Sequence, residues 1–295
     1  MSKIELVNLG TLGWSGLYGK ISEKSLLLIL DKISNDKNYI ELHTSSAYEI
    51  INNSLNLTIA KWIEKTNISI HLKLFSQPED FKNERTILNQ ILKYHNLFGN
   101  NLKSIFIHKP LIDETKLKYA INEIEKLNLK VGVCLEKPNQ EIIKNKEIDF
   151  IEIPLNLLDL KKNIEILTLC KKQNKKIFAR SLLASGLLAS KNINKKNYSD
   201  VFRKRFMNKQ NLLRRQNKAK TIRKVYKDLK SSKNDCFEWF CYDMVKILAN
   251  PDHMILGGSN PNQVAKNIQY NFFKNYKLNI EPDKLISEWS APYFK

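Results

Sequence analysis

Three residues with complementary acid–base chemistry stand at the ends of successive apolar runs. The run Tyr39–His43 leads into His43-Thr-Ser-Ser-Ala-Tyr48, the run Ser69–Leu74 carries Lys73, and the run Lys103–Ile107 leads into His108-Lys-Pro110. A free phenol, with a pKa near 10, is a poor proton donor at neutral pH. An ammonium beside it favours the phenolate and turns the phenol into a usable acid. A neutral imidazole can hold a carbonyl oxygen close to that phenol. The chemistry such a trio supports is proton donation to a carbonyl while hydride arrives from a nicotinamide. Each residue also has a plainer reading: Tyr48 as a helix-entry aromatic, Lys73 as a rim lysine, and His108 as a hydrogen-bonded turn histidine before Pro110. Their joint placement at consecutive strand ends argues for a shared site.

The pattern that must position them alternates short apolar runs with helical periods. Strands are predicted at Ile4–Leu9, Tyr39–His43, Ser69–Leu74, Lys103–Ile107, Lys130–Cys134, Asp149–Ile153, Lys176–Arg180 and His253–Leu256. They lack strict alternation, as strands buried on both faces do. Helical periods cover Ser22–Ile33, Ile50–Lys65, Asp80–Phe98, Asp113–Leu127, Leu160–Gln173 and Asn260–Lys274, several opening on a Ser, Asp or Asn suited to an N-cap. Repeated strand–helix alternation calls for a parallel sheet. About eight units without a Gly/Pro/Ser-rich linker favour an α/β fold of the (β/α)8 TIM-barrel type, one domain over residues 1–295. An open doubly wound sheet would open on Gly-x-Gly-x-x-Gly; the chain has Gly10-Thr-Leu-Gly13-Trp-Ser-Gly16 instead. In a barrel the carboxyl ends of strands share one mouth, which would bring Tyr48, Lys73 and His108 together.

Composition bounds the rest. Hydrophobic residues at 42% and aromatics at 9% allow a sizeable core and exclude wholesale disorder. Nine Gly and eight Pro exclude collagen-like or linker-dominated architecture. Four cysteines, none in a Cys-x-x-Cys pair, point to a reduced compartment. The opening residues carry no signal-peptide pattern, and no uncharged apolar stretch is long enough to cross a bilayer, so the expected location is cytoplasmic, with no membrane partner. Lys+Arg exceed Asp+Glu by 49 to 30, a formal charge of +19 that favours an anionic partner of some kind.

The segment 190–235 breaks the rhythm with Lys195-Lys196, Arg203-Lys-Arg205, Arg214-Arg215, Lys218, Lys220 and Arg223-Lys224. Val201, Phe206, Leu212, Ile222, Val225, Tyr226 and Leu229 can still form an apolar stripe, so it reads as a basic helical or loop insertion before the last strand, lying on the barrel. Its charges are either solvated helix faces or contacts to an acidic ligand. Nucleic acid is disfavoured as a partner because no reading motif is present and basic residues are spread through the chain. No metal site is predicted, since histidines and cysteines have no ligand spacing in sequence. A Cys–His nucleophile at Cys134 lacks an accompanying oxyanion motif.

The chain resembles the aldo-keto reductase family over nearly its whole length. Leu9-Gly-Thr-Leu-Gly-Trp14 is similar to the family's opening Leu-Gly-Thr-Trp-Gly, Leu42-His-Thr-Ser-Ser-Ala-Tyr48 to its Phe-Asp-Thr-x-x-x-Tyr motif, and Ile107-His-Lys-Pro110 to its fourth-strand histidine motif. Ile151-Glu-Ile-Pro-Leu-Asn-Leu-Leu-Asp159, Ala179-Arg-Ser-Leu-Leu-Ala-Ser-Gly-Leu-Leu188 and Gly257-Gly-Ser-Asn-Pro-Asn-Gln263 resemble later family segments; order and spacing together make the likeness specific. The resemblance implies that Tyr48 is the general acid, Lys73 its pKa-lowering partner and His108 the residue that orients substrate. It implies NADPH as cofactor, with Gly258, Ser259, Asn260 and Gln263 at the adenosine-phosphate end, Asn267 assisting, and Gly10, Thr11, Ser181 and Leu182 along its length. A Ser/Asn-rich loop opening a helix also suits an anion on physical grounds. Trp289 to Phe294 are candidate mouth aromatics, with plain surface packing the favoured reading.

Three positions depart from the family pattern. His43 stands where the family has an aspartate supporting the lysine, which implies a lower lysine pKa and a weaker effect on Tyr48. Cys134-Leu135 replaces the Ser-Asn or Ser that grips the nicotinamide carboxamide, and Glu152 replaces a common glutamine. The resemblance therefore implies NADPH-dependent reduction of an aldehyde or ketone, with likeness to bacterial members of surface-polysaccharide pathways and hence a sugar-derived or anionic substrate. The alternative is a catalytically impaired homologue serving as a cofactor-binding or regulatory protein.

Overall fold

In a computed structural model, eight parallel strands close on themselves in sequence order. They are β1 (Leu6–Gly10), β2 (Tyr39–Ser45), β3 (Ser69–Leu74), β4 (Leu102–Ile107), β5 (Lys130–Cys134), β6 (Phe150–Pro154), β7 (Lys176–Arg180) and β8 (His253–Gly257), and β8 pairs back onto β1. The structure describes residues 6–19, 21–36, 38–50, 54–64, 66–110, 113–189, 209–229, 236–270 and 281–290. The expected (β/α)8 barrel is the fold. Of the first predicted strand, Ile4 and Glu5 lie outside the described residues. The second runs two residues further than its apolar pattern, because Thr44 and Ser45 pair with Leu72 and Lys73 of β3. Polar residues hid that extension from a hydrophobicity reading, and it sets Ser45 beside Lys73.

The helices begin where short polar side chains satisfy free backbone donors. They are α1 (Glu23–Ser34), α2 (Leu55–Ile63), α3 (Glu84–Phe98), α4 (Glu114–Lys126), α5 (Gln140–Lys144), α6 (Leu160–Lys172), α7 (Lys209–Leu229), α8 (Phe237–Ala249), α9 (Pro261–Ile268) and α10 (Pro282–Trp289). Side chains of Ser22, Asn83, Asp113, Asn139 and Asn260 accept from backbone N–H groups of α1, α3, α4, α5 and α9. The predicted helix from Asp80 is thus two pieces: a 3-10 turn at Pro78–Phe81, then α3 restarting on the Asn83 cap. The predicted helix over 50–65 likewise reduces to a 3-10 turn at Ser46–Ile50 and α2, with residues 51–53 and 65 outside the described set. Asn128, Asn174 and Asn250 adopt positive φ just past α4, α6 and α8, the asparagine form of a left-handed helix stop in a glycine-poor chain.

Two apolar layers result. Leu, Ile and Val side chains pack between barrel and helices, while Phe106, Cys134, Phe178 and Ile255 form a separate cluster with Phe150 inside the barrel. Gly132 makes room there: a Cβ on it would lie 2.3 Å from the Phe106 ring. Below the mouth the interior turns polar. His43 stacks on His71 with ring centroids 4.5 Å apart, His43 Nε2 donates to Asn8 Oδ1 at 2.9 Å, and His71 Nδ1 bonds Ser104 Oγ at 2.6 Å.

Burial, the first cause in each case, holds His43, His108 and His253 below the ordinary histidine pKa, with His108 pushed down to about 3. The unfolded chain takes up these protons near pH 6.5 whereas the folded chain does not, so stability present above that pH is lost as pH falls below it. Each such histidine contributes about 1.4 kcal/mol per pH unit. Urea unfolding followed from neutral pH to about pH 5 should show a steady loss that begins before carboxylates titrate. Flat stability over that interval would contradict it.

Within the segment 190–235 the described residues form α7, and residues 190–208 and 230–235, including Val201 and Phe206, lie outside the described set. Leu212, Ile222 and Tyr226 of the expected stripe are buried, and Val225 and Leu229 pack against the core. Arg215 is fully buried and clamps Asp159, at the end of the loop leaving β6, through two bonds of 2.8 and 3.0 Å. Trp289 is no mouth aromatic: it is buried beside Phe240 of α8, and 291–294 lie outside the described residues.

Candidate active site

Lys73, at the carboxyl end of β3, is only 6% exposed, and its Nζ lies 5.7 Å from the centroid of the Tyr48 ring, within cation–π range. Tyr48, in the 3-10 turn after β2, is itself buried. His108 follows β4, held by its backbone N–H donating to Leu74 O at 2.7 Å. Its Nδ1 lies 3.3 Å from Ser45 Oγ, and Ser45 Oγ lies 3.1 Å from Lys73 O. The three predicted residues therefore gather at one mouth. Burial first, then the Lys73 charge, keeps His108 neutral through the physiological range. Phe75, two residues beyond Lys73, is fully buried at φ 63°, an outlier for a bulky side chain that turns the chain sharply off β3.

The carboxylate partner of Lys73 comes from an unexpected place. Glu152 of β6, fully buried, accepts from Lys73 Nζ at 3.0 Å, and Arg180 Nε at the end of β7 sits 3.1 Å from the same Oε1. The guanidinium also pairs with Glu136. Burial alone would lower the Lys73 pKa, but Glu152 reverses this and carries it above the ordinary lysine value. Burial would raise the Glu152 pKa, yet Lys73 and Arg180 hold it below the usual carboxylate value. The lowered lysine pKa expected from His43 is thus corrected: the counter-charge is present on another strand. His43 sits in the polar layer bonded to Asn8 rather than to Lys73.

His43→Asp is accordingly expected to leave turnover at or below wild type. It should cost about 3 kcal/mol or more of stability, because it strips Asn8 of its donor and buries a second carboxylate near Glu41. Steady-state rates and chemical unfolding check this; a rise in turnover would contradict it.

Histidines scattered in sequence do meet in space, because β2 and β3 are neighbours: Glu41, His43 and His71 bring potential ligand atoms within 4.8 Å of one another. His71 Nε2 lies 3.2 Å from Glu41 Oε2. The two rings stack face to face, 20° between planes.

Gly10 ends β1 between His43 and Gly257, and Thr11 Oγ1 donates to Thr44 Oγ1 at 2.9 Å, so their hold is internal. Gly13 is pressed against the β8 loop, where a Cβ would come 2.4 Å from Gly258 O. Ser259 N and Oγ both donate to Gln263 Oε1, at 2.8 and 3.1 Å, and Asn260 caps α9. Asn267 is buried and donates to Gly257 O at 3.1 Å, which braces that loop. Ser181, Ala184 and Ser185 all take positive φ in the turn after β7, and Leu182 between them is buried. Three strained residues in five mark a backbone held in place by its surroundings. Cys134 is buried, and burial raises its thiol pKa well above normal, so it is no thiolate nucleophile. Glu152 Oε2 has no hydrogen-bond partner among the described residues.

The residues missed at the sequence level are Arg180, Ser45, Glu136 and Asn8. Arg180 had a readable signal as a cation ending a strand; Glu136, Ser45 and Asn8 had none.

The closed parallel barrel gathers the buried Lys73 beside the Tyr48 ring, with the His108 imidazole, at its carboxyl rim. The chain belongs to the aldo/keto reductase family, whose model matches residues 6–281. Among solved structures it is similar to the glycerol dehydrogenase of Gluconobacter oxydans, at 17% identity and TM-score 0.63 over 95% of this chain and 90% of that one. It is also similar to an aldo-keto reductase of Klebsiella pneumoniae solved with NADPH, at 10% identity and TM-score 0.62 over 97% and 91%. A deep-sea metagenomic aldo-keto reductase matches at 13% identity and TM-score 0.62, covering 100% of this chain and 95% of that one. No curated protein matches the sequence. Among the described residues no helix is long and apolar enough to cross a membrane.

Proposed function

We propose that the protein reduces an aldehyde or ketone to an alcohol with NADPH, Tyr48 acting as general acid. The observation that carries this reading is the buried ammonium of Lys73, 5.7 Å from the Tyr48 ring and fixed by a carboxylate. Family membership and the NADPH-bound Klebsiella neighbour support the cofactor. The residues present fit it on two counts. Among the described residues Glu152 Oε2, buried at the mouth, has no donor, and it is suited to a carboxamide N–H. Gly13 and Gly258 keep the two loops at the rim close, and α9 directs its N-terminus there, suited to a phosphate.

When bound, the nicotinamide supplies the hydride that adds to the carbonyl carbon. The protein's task is the proton: Tyr48 donates it to the carbonyl oxygen as negative charge develops there, so one hydride and one proton convert C=O to CH–OH. The Lys73 ammonium lowers the cost of the phenolate left behind. His108, neutral, orients the oxygen. The single proton of Ser45 Oγ has two acceptors within reach, Lys73 O and His108 Nδ1. Turned toward Nδ1, it leaves the imidazole proton on Nε2, the tautomer that donates to a carbonyl. The chain's formal charge of +19 favours a substrate that carries an anionic group.

The test is fluorescence titration with NADPH, run beside NADPH oxidation with a panel of aldehydes and keto-sugars. Saturable binding with turnover supports the reading. Binding without turnover by any substrate favours the cofactor-binding or regulatory homologue. The loss of both would remove the assignment.

A further inference from the structure

Glu152 carries more than a salt bridge. It is fully buried, yet a single oxygen, Oε1, serves two cations from different strands: Lys73 at 3.0 Å and Arg180 at 3.1 Å. Among the described residues no other carboxylate lies within ion-pair distance of Lys73. Arg180 reaches outward as well, pairing with the largely exposed Glu136. The charged and titratable groups facing this unit are Tyr48 and His43 from β2 and its turn, His108 after β4, Cys134 of β5 and Arg180 of β7. Burial holds His43 and His108 neutral and the Cys134 thiol protonated, so among the described residues Glu152 is the fully buried carboxylate that faces both cations, Glu136 pairing with Arg180 from the exposed side.

We infer that Glu152 is the positioning carboxylate of the site, and that Arg180, by sharing its Oε1, sets how much of that charge Lys73 receives. The inference rests on the proposed reduction for its catalytic meaning but not for its physical content. A carboxylate held by Lys73 alone would bind the ammonium more tightly and quench more of the field it exerts on the Tyr48 phenol. The second cation draws part of that charge away, so Lys73 stays protonated while the phenol still feels a net positive site. Removing Glu152 leaves two like charges facing each other in a dry site, and the lysine, being the weaker base, loses its proton first.

The experiment follows Lys73 directly, by NMR titration of protein carrying isotope-labelled lysine, its signal assigned by its absence in Lys73→Arg. The wild type should keep Lys73 charged to the alkaline limit of the fold. Glu152→Gln should bring its titration down by roughly two pH units or more, and Glu152→Gln/Arg180→Gln should fall between these two, since the opposing cation is gone. Glu152→Asp, which keeps the charge, should stay near wild type. If Glu152→Gln alone does not fold, the double variant carries the test, because it removes both buried charges; its Lys73 should still titrate earlier than in wild type. An unmoved Lys73 signal in folded Glu152→Gln or in the double variant overturns the role of Glu152. A double variant titrating at or below Glu152→Gln overturns the sharing by Arg180.

The same variants assayed with NADPH and a carbonyl should show the alkaline limb of turnover moving to lower pH in the same order. Should the wild type show no turnover, the proposed function fails while the NMR order still decides this inference.

Discussion

If Tyr48 is the general acid proposed, Tyr48→Phe is expected to lower turnover by roughly 10²- to 10⁴-fold, the range spanned by loss of a positioned general acid. The ring remains, so the buried packing and the contact 5.7 Å from Lys73 Nζ persist, and only the transferable proton is lost. The effect should fall on kcat with little change in NADPH affinity, because the hydroxyl acts on the developing alkoxide and not in the ground state. Steady-state rates beside a fluorescence titration check it. A variant retaining more than about a tenth of wild-type kcat would remove Tyr48 from the chemistry.

The second large effect concerns stability. Arg215 is fully buried in α7 and bonded twice to Asp159, while Asn156 Nδ2 donates to the same carboxylate at 2.9 Å. Arg215→Met alone leaves Asp159 without its cation and should cost about 3–5 kcal/mol. Arg215→Met/Asp159→Leu removes both charges and should recover most of that loss, since a buried ion pair and an apolar pair of similar volume are often close in energy. Urea unfolding of both variants checks the pair. Equal destabilisation by the single and double changes would mean that packing, not charge, holds α7 to the loop after β6. That loop follows Glu152 by only a few residues, so the clamp also steadies the strand end on which the mouth depends.

Much of this was readable in advance for a physical reason. Strands buried on both faces announce themselves as apolar runs, and Ser22, Asp113 and Asn260 mark helix starts because their oxygens must cap free N–H groups. Tyr48, Lys73 and His108 were legible because a barrel sends every strand end to the same rim. The counter-charge of Lys73 was not. Sequence comparison looks for it at position 43, but it arrives from Glu152, 79 residues away on a strand that is not a neighbour of β3. Contacts across a barrel leave no periodic trace. The same holds for the His43–His71 stack, whose partners look unrelated until β2 and β3 are paired in register. Arg215 looked like one more surface cation in a basic run, and only the fold shows it buried.

In the reaction proposed, a carbonyl receives hydride from NADPH at this mouth while Tyr48 supplies the proton. The most direct measurement is isotope transfer: NADPH deuterated at the transferring position of the nicotinamide is turned over with an accepted aldehyde or keto-sugar, and the alcohol is examined by mass spectrometry. Deuterium is expected at the carbinol carbon in the wild type, at a rate that collapses in Tyr48→Phe. An alcohol without the label, or labelled product formed equally fast by both proteins, would contradict it.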